Sequence, residues 1–65
     1  MKITLNGVPR DLNGPTVQQA LTEIGLGQAK VATALNGDFL PAGIRTTTTL
    51  KDGDALEVVA PMQGG

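Results

Sequence analysis

Two Asn-Gly dipeptides, each placed between short β-prone segments, constrain the fold of this 65-residue chain more than any other feature. Asn and Gly readily take the positive backbone angles of a two-residue hairpin turn, so each pair predicts a β-hairpin. The first pair, Asn6-Gly7, follows Lys2–Leu5, in which polar and apolar residues alternate as in a half-buried strand. The second pair, Asn36-Gly37, separates the strand-like segment Val31–Leu35 from the short apolar segment Phe39-Leu40. We therefore predict two hairpins.

The register of the first hairpin raises one conflict. A two-residue loop places Val8 opposite Leu5, but it also turns the charged Arg10 inward beside Ile3. Two alternatives remain open at this point. Either Arg10 reaches solvent at a sheet edge along its aliphatic stem, or the loop is longer than two residues and the register differs.

The segment after the first hairpin predicts a short α-helix. Thr16-Val17-Gln18-Gln19 fits a capping box, with Thr16 as the N-cap and Gln19 as the third helical residue. Gly25 can take the left-handed conformation that ends a helix. A helix this short must pack on a sheet to be stable in water. Its apolar stripe has helical spacing and consists of Val17, Ala20, Leu21 and Ile24.

The second half of the chain predicts strands around irregular connections. Ala42–Thr49 has no helical period and is interpreted as an extended loop or an edge segment. Lys51–Asp54 is typical of a turn, and Ala55–Ala60 predicts a last strand with Leu56 and Val58 facing the core. The element order is therefore ββαβββ.

This order predicts an α+β fold of the β-grasp type. We expect a mixed sheet with one main helix packed across one face, and the first and last strands as parallel neighbours. Pro61 ends the last strand. We divide the chain into a β-grasp domain, residues 1–61, and a flexible C-terminal tail, residues 62–65.

Composition excludes most familiar catalytic sites. The chain has no Cys and no His, so it lacks a thiolate nucleophile, an imidazole base and soft metal ligands. We therefore expect no catalytic residue, no metal site and no bound cofactor. A net charge of −1 and a single aromatic residue, Phe39, disfavour nucleic-acid binding. No segment approaches the roughly 20 apolar residues of a membrane span, and we expect a cytoplasmic protein.

The chain ends in Gly64-Gly65, and the terminal carboxylate is the candidate working group. An ionised carboxylate can attack the α-phosphate of ATP if a partner protein positions both anions, which gives an acyl-adenylate open to a sulfur nucleophile. Glycine suits this role because it has no Cβ and fits a narrow channel. Without Cys, sulfur would travel as a thiocarboxylate on Gly65. The alternative is that the two glycines are a frayed terminus without function.

Apolar residues near the tail form a candidate docking patch for a partner protein. We place Phe39, Leu40 and Val59 in this patch. The alternative is that Phe39 and Leu40 fill the core.

Short motifs follow one another along the whole chain, namely Asn6-Gly7, Thr16-Val17 with Leu21, Val31–Gly37, Leu40-Pro41, Leu50–Asp54, Leu56–Val59 and Gly64-Gly65. In this order and spacing they resemble the ThiS family of sulfur carriers. The resemblance implies a ubiquitin-like fold and adenylation of Gly65 by a ThiF-type adenylyltransferase that consumes ATP. It also implies a sulfur donor protein, and delivery of the sulfur to a ThiG-type thiazole synthase in thiamine biosynthesis.

On the same basis, Met62, Gln63 and Gly64 form the tail that threads into a partner's active site, and the free protein is a monomer. Three alternatives remain. The first keeps the chemistry but delivers the sulfur to molybdopterin synthase or to another pathway, since a Pro close to Gly-Gly, here Pro61, is also found in the small subunit of molybdopterin synthase. The activated carboxylate could instead modify a target protein, as ubiquitin does. The domain could also be a passive binding module.

Overall fold

The computed structural model describes residues 1–60, so Pro61 and the tail residues 62–65 lie outside the described residues. The elements are β1 (Lys2–Leu5), β2 (Val8–Asp11), α1 (Val17–Glu23), β3 (Ala32–Leu35), β4 (Asp38–Leu40), a 3₁₀ helix (Ala42–Ile44) and β5 (Ala55–Val59). The five strands form one mixed sheet in the order β2-β1-β5-β3-β4. Strands β1 and β5 are parallel neighbours, and the other pairs are antiparallel. The α+β, β-grasp prediction is confirmed, whereas the division at residue 61 stays a prediction.

Both Asn-Gly pairs form two-residue turns with positive φ at each position. Asn6 and Asn36 each have φ of 51°, followed by 82° at Gly7 and 87° at Gly37, as a type I′ turn requires. The first turn fixes the predicted register. Arg10 lies opposite Ile3 and is exposed, because β2 is the outermost strand of the sheet. The first of the two alternatives for Arg10 is therefore confirmed.

The helix α1 begins and ends as predicted. The Thr16 hydroxyl accepts a hydrogen bond from the Gln19 backbone N–H, and the Gln19 side chain accepts one from the Thr16 backbone N–H. At the other end, Gly25 has φ of 85°, and the Leu26 N–H donates to the Leu21 carbonyl at 2.8 Å. This is a Schellman closure, with Gly25 in the left-handed conformation that the sequence predicts.

The core lies between α1 and one face of the sheet. Burying a large aliphatic side chain contributes about 1.5–3 kcal/mol, so a few such residues account for much of the stability of so small a domain. Leu56 and Val58 of β5 face this core, as predicted. The buried apolar residues are Ile3, Leu12, Val17, Ala20, Leu21, Leu40, Leu50, Leu56 and Val58.

The prediction for Ala42–Thr49 is wrong in its first half. Ala42–Ile44 forms a 3₁₀ helix, with hydrogen bonds from Ile44 N–H to the Pro41 carbonyl and from Arg45 N–H to the Ala42 carbonyl. A single 3₁₀ turn is too short to show a period in sequence, which is why the pattern misses it. Only the end of the segment is extended, where Thr49 pairs with Thr16.

Arg45 is buried in this segment, at 8% exposure. Its Nε donates to the Thr33 hydroxyl at 3.0 Å and its guanidinium also donates to the Val31 carbonyl at 2.6 Å. The Thr33 hydroxyl in turn donates to the Leu40 carbonyl at 2.8 Å. These contacts attach the 3₁₀ segment to β3 and β4.

Candidate functional site

The sheet face opposite α1 carries a shallow concavity of about 540 Å³. Directly paired residues of neighbouring strands share a face, so the pairs Ala34 with Phe39, Ala34 with Glu57 and Ala32 with Val59 define this side. The small side chains of Ala32 and Ala34 leave room between Phe39 and Val59. We call this the open face. Its concavity is lined by Asn6, Ala32, Thr33, Ala34, Gly37, Phe39, Glu57 and Val59.

The structure brings together two of the three predicted docking residues. Phe39 is 71% exposed and Val59 is 60% exposed, and both line the concavity. Leu40 is only 7% exposed and belongs to the core. Placing Leu40 in the docking patch is therefore wrong, because successive residues of a strand point to opposite faces. The proposed docking role of Phe39 and Val59 stays a prediction.

The open face adjoins the end of β5, the strand that leads to the C-terminal tail. Val59 pairs with Ala32 of β3 on one side of β5. On the other side, the Asn6 side chain accepts a hydrogen bond from the Val58 N–H at 2.8 Å and donates one to the Val58 carbonyl at 3.0 Å. The sequence identifies Asn6 only as a turn residue. Its contact with a strand 52 positions away has no local signal in the sequence.

The predicted working group lies outside the described residues. The same holds for the predicted threading tail, so the roles of Gly65, Gly64, Gln63 and Met62 stay predictions. Within residues 1–60, no group of three or more acidic side chains is arranged to hold a metal ion. None of the helices in that range is long and apolar enough to cross a membrane.

Asp54 lies directly before β5, and its pKa is shifted by its hydrogen bonds. A hydrogen bond from the Asn36 side chain, followed by one from the Lys51 backbone N–H, lowers the pKa of Asp54 below its ordinary value of 3.8. The two bonds measure 3.0 and 2.8 Å.

Glu57 is the acidic residue that lines the concavity of the open face. The open face thus combines apolar side chains with one carboxylate.

The fold is that of a small ubiquitin-like β-grasp protein, in which a five-stranded mixed sheet packs one face against a helix. The open face lies on the other side, beside the last strand. The model of the ThiS family matches residues 3–65. The chain therefore belongs to the ThiS family, which confirms the resemblance seen in the sequence. Membership also confirms the prediction that the chain is a carrier rather than an enzyme.

Individual relatives agree with this assignment. The chain is 43% identical over 63 residues to the sulfur carrier protein ThiS of Thermus thermophilus, and the match covers 97% of this chain and 98% of that protein. It is 36% identical over 66 aligned positions to a thiazole synthase of Paramagnetospirillum magneticum, covering 100% of this chain but only 20% of the synthase.

Solved structures give the same result. The crystal structure of the thiamine biosynthesis protein ThiS from Geobacter metallireducens superposes with a TM-score of 0.85 at 38% identity, with both chains fully covered. A solution structure of the same Geobacter protein gives a TM-score of 0.78 at 38% identity, covering 100% of this chain and 88% of that one.

Proposed function

We propose that this protein carries sulfur for the thiazole of thiamine, as a thiocarboxylate on Gly65. The observation that carries the proposal is the nearly end-to-end match to a sulfur carrier protein ThiS, within a family match that reaches Gly65. The structurally similar Geobacter protein is named for thiamine biosynthesis, which supports the same pathway.

The chemistry begins at the carboxylate of Gly65. One carboxylate oxygen forms a bond to the α-phosphorus of ATP while the bond to pyrophosphate breaks, which gives an acyl-adenylate. A sulfide-level sulfur nucleophile then attacks the carbonyl carbon, AMP leaves, and a carbon–sulfur bond replaces the carbon–oxygen bond. The chain itself contains no Cys or His, so a partner must neutralise the reacting anions and supply the sulfur. We assign these tasks to a ThiF-type adenylyltransferase and a sulfur donor protein.

The acceptor of the sulfur is a thiazole synthase in this proposal. Support comes from the Paramagnetospirillum thiazole synthase, one fifth of which matches this entire chain. A carrier-like segment within the same polypeptide as a synthase is the arrangement expected of two proteins that work in contact, since linkage raises their effective concentration.

The open face is the proposed docking surface for the synthase. Phe39 and Val59 provide exposed apolar area beside the strand that leads to the tail, and aromatic residues are typical anchors of protein interfaces. Glu57 adds a charge that a basic residue of the partner can pair with. Docking here would place the partner next to the start of the tail.

Intact mass spectrometry tests the function. The protein is incubated with ATP, the cognate adenylyltransferase and a sulfur donor, and we expect a mass increase equal to the replacement of one oxygen by sulfur. A variant lacking Gly65 and a variant extended by an uncleavable residue serve as controls, and both should stay unchanged. Absence of the increase in the native protein, or its presence in either control, contradicts the proposal.

Genetic rescue tests the pathway. We expect the gene to restore growth of a thiamine auxotroph that lacks its sulfur carrier. Rescue of a molybdenum-cofactor mutant instead would assign the protein to molybdopterin synthase. Isopeptide-linked adducts in extracts would assign it to protein modification.

The docking surface is tested by calorimetric titration of the protein into thiazole synthase. Phe39→Ala should weaken binding by about 10-fold or more, the effect of losing an interface anchor. Val8→Ala is the matched control, because Val8 is also largely exposed, at 57%, but does not line the concavity. Equal effects of the two substitutions would exclude the open face as the docking surface.

A further inference from the structure

Strand β1 ends before its parallel neighbour β5 does. The backbone pairing between them covers Thr4 with Ala55 and Leu5 with Leu56, and the Asn6 N–H still donates to the Leu56 carbonyl at 3.0 Å. At Asn6 the chain takes φ of 51° and turns away into β2. The backbone N–H and carbonyl of the next residue on that side of β5, Val58, are left without a strand to bond to.

The side-chain amide of Asn6 takes the place of the missing strand residue. Its oxygen accepts from the Val58 N–H at 2.8 Å, and its nitrogen donates to the Val58 carbonyl at 3.0 Å. A carboxamide has the same donor and acceptor pair as a peptide group, so the ladder continues by one step through a side chain. As a result, β5 is bonded on both sides up to the point where Val59 pairs with Ala32.

We propose that Asn6 is a positioning residue for the carboxylate of Gly65, an inference that rests on the proposed function. The Asn6 amide holds Val58, and so the last residues of β5, beside the open face, and the chain leads from there to Gly65. Adenylation needs the carboxylate oxygen in line with the α-phosphorus as pyrophosphate leaves, and small losses of alignment slow such reactions strongly. Loss of the Asn6 bonds should therefore lower the rate of adenylation more than it lowers the affinity of this protein for the adenylyltransferase.

The second Asn-Gly turn provides an internal control. Asn36 has the same φ of 51°, and its side chain also bonds to β5, accepting from the Ala55 N–H at 2.8 Å and donating to the Asp54 carboxylate at 3.0 Å. These bonds hold the start of β5, at the end of the strand away from the tail. Substituting glycine keeps each turn, since glycine accepts positive φ without strain, and removes only the side-chain bonds.

The experiment compares Asn6→Gly and Asn36→Gly in two measurements. In amide hydrogen exchange of the free proteins, Asn6→Gly should speed exchange at Val58 by about 10-fold or more, while Asn36→Gly leaves Val58 within about 2-fold of the native rate. In adenylation assays with saturating ATP, Asn6→Gly should lower kcat by about 10-fold with little change in KM, as expected when an interaction acts only in the chemical step. Asn36→Gly should match the native protein.

A second variant, Asn6→Asp, separates the loss of hydrogen bonds from any misfolding of Asn6→Gly. Asn6→Asp keeps the oxygen that accepts from Val58 N–H but replaces the donor to the Val58 carbonyl, so its kcat should fall between those of the native protein and Asn6→Gly. Far-UV circular dichroism confirms that all three variants are folded at the assay temperature.

Three results would overturn the positioning role. The first is an equal loss of kcat in the two glycine variants, which indicates general destabilisation. The second is a higher KM for Asn6→Gly with unchanged kcat, which indicates direct contact with the enzyme through the open face. The third is unchanged exchange at Val58. If the native protein itself is not adenylated, the proposed function is wrong and the positioning role falls with it, whereas normal adenylation with equal variants overturns the positioning role alone.

Discussion

Removing the buried Arg45 should destabilise this domain more than its place in a loop suggests. Arg45→Ala breaks hydrogen bonds from a charged donor to the Thr33 hydroxyl and to the Val31 carbonyl. Hydrogen bonds to charged groups contribute about 1.5–3 kcal/mol each, and one of the two acceptors, the Thr33 hydroxyl, keeps its bond to Leu40, so we expect a loss of about 3 kcal/mol. A domain of this size has a free energy of unfolding of roughly 3–10 kcal/mol, so the loss is a large fraction of the total.

Two further variants separate charge from packing. Arg45→Met keeps most of the aliphatic stem and removes a charge that has no carboxylate within salt-bridge distance among residues 1–60. Because burying an unpaired charge is costly, this variant should lose only about 1–2 kcal/mol. Arg45→Lys keeps the charge but lacks the planar fork that serves both acceptors, and we expect an intermediate loss of about 2 kcal/mol.

Urea denaturation followed by far-UV circular dichroism is the appropriate assay, since the chain has no Trp or Tyr to report by fluorescence. With an m-value of about 1–1.5 kcal/mol/M for so short a chain, Arg45→Ala should lower the midpoint by about 2–3 M. A loss below about 0.5 kcal/mol for Arg45→Ala would refute the importance of the network. Equal losses for Arg45→Ala and Arg45→Met would refute the assignment of part of the effect to the stem.

Three further substitutions should have smaller effects on stability. Thr16→Ala removes the N-cap of α1 and should cost about 1 kcal/mol, seen as a fall of several degrees in Tm. Gly25→Ala should cost about 1–2 kcal/mol from its φ of 85° alone, because no atom other than those of Gly25 and its chain neighbours lies within 4 Å of the added Cβ. A larger loss would contradict this. Because the pKa of Asp54 is lowered in the folded state, its carboxylate stabilises the fold above pH 3.8, and this contribution is lost as pH falls through the folded pKa. The free energy of unfolding of Asp54→Asn should therefore differ from that of the native protein near neutral pH and converge with it in acid. A difference independent of pH in urea titrations would reject this.

The elements that the sequence predicts correctly are those decided by local rules. The type I′ turn has positive φ at both central positions, which Asn-Gly readily adopts, and this fixes both hairpins and the register that exposes Arg10. The capping box at Thr16 and the closure at Gly25 fix the limits of α1 in the same way. The alternation in β5 identifies Leu56 and Val58 as core residues.

The features that the sequence misses depend on partners distant along the chain. Arg45 reads as an exposed charge in a polar loop, and only the position of β3 makes it a buried donor. The same limit applies to the candidate site. The sequence of β4 does not show whether Phe39 or Leu40 faces the core until the pairing of Phe39 with Ala34 is known. The hydrogen bonds between Asn6 and Val58 likewise form only when the sheet has assembled.

Pro9 in the outermost strand has a consequence for how copies of the protein behave in concentrated solution. The Leu12 N–H bonds to the Met1 carbonyl, so by alternation the N–H positions of β2 that face away from the sheet are those of residues 9 and 11. Pro9 has no N–H to offer, and its neighbours Arg10 and Asp11 are exposed charges. A sheet border interrupted in this way is a poor template for strand addition by another molecule, which protects the protein from fibrous self-association.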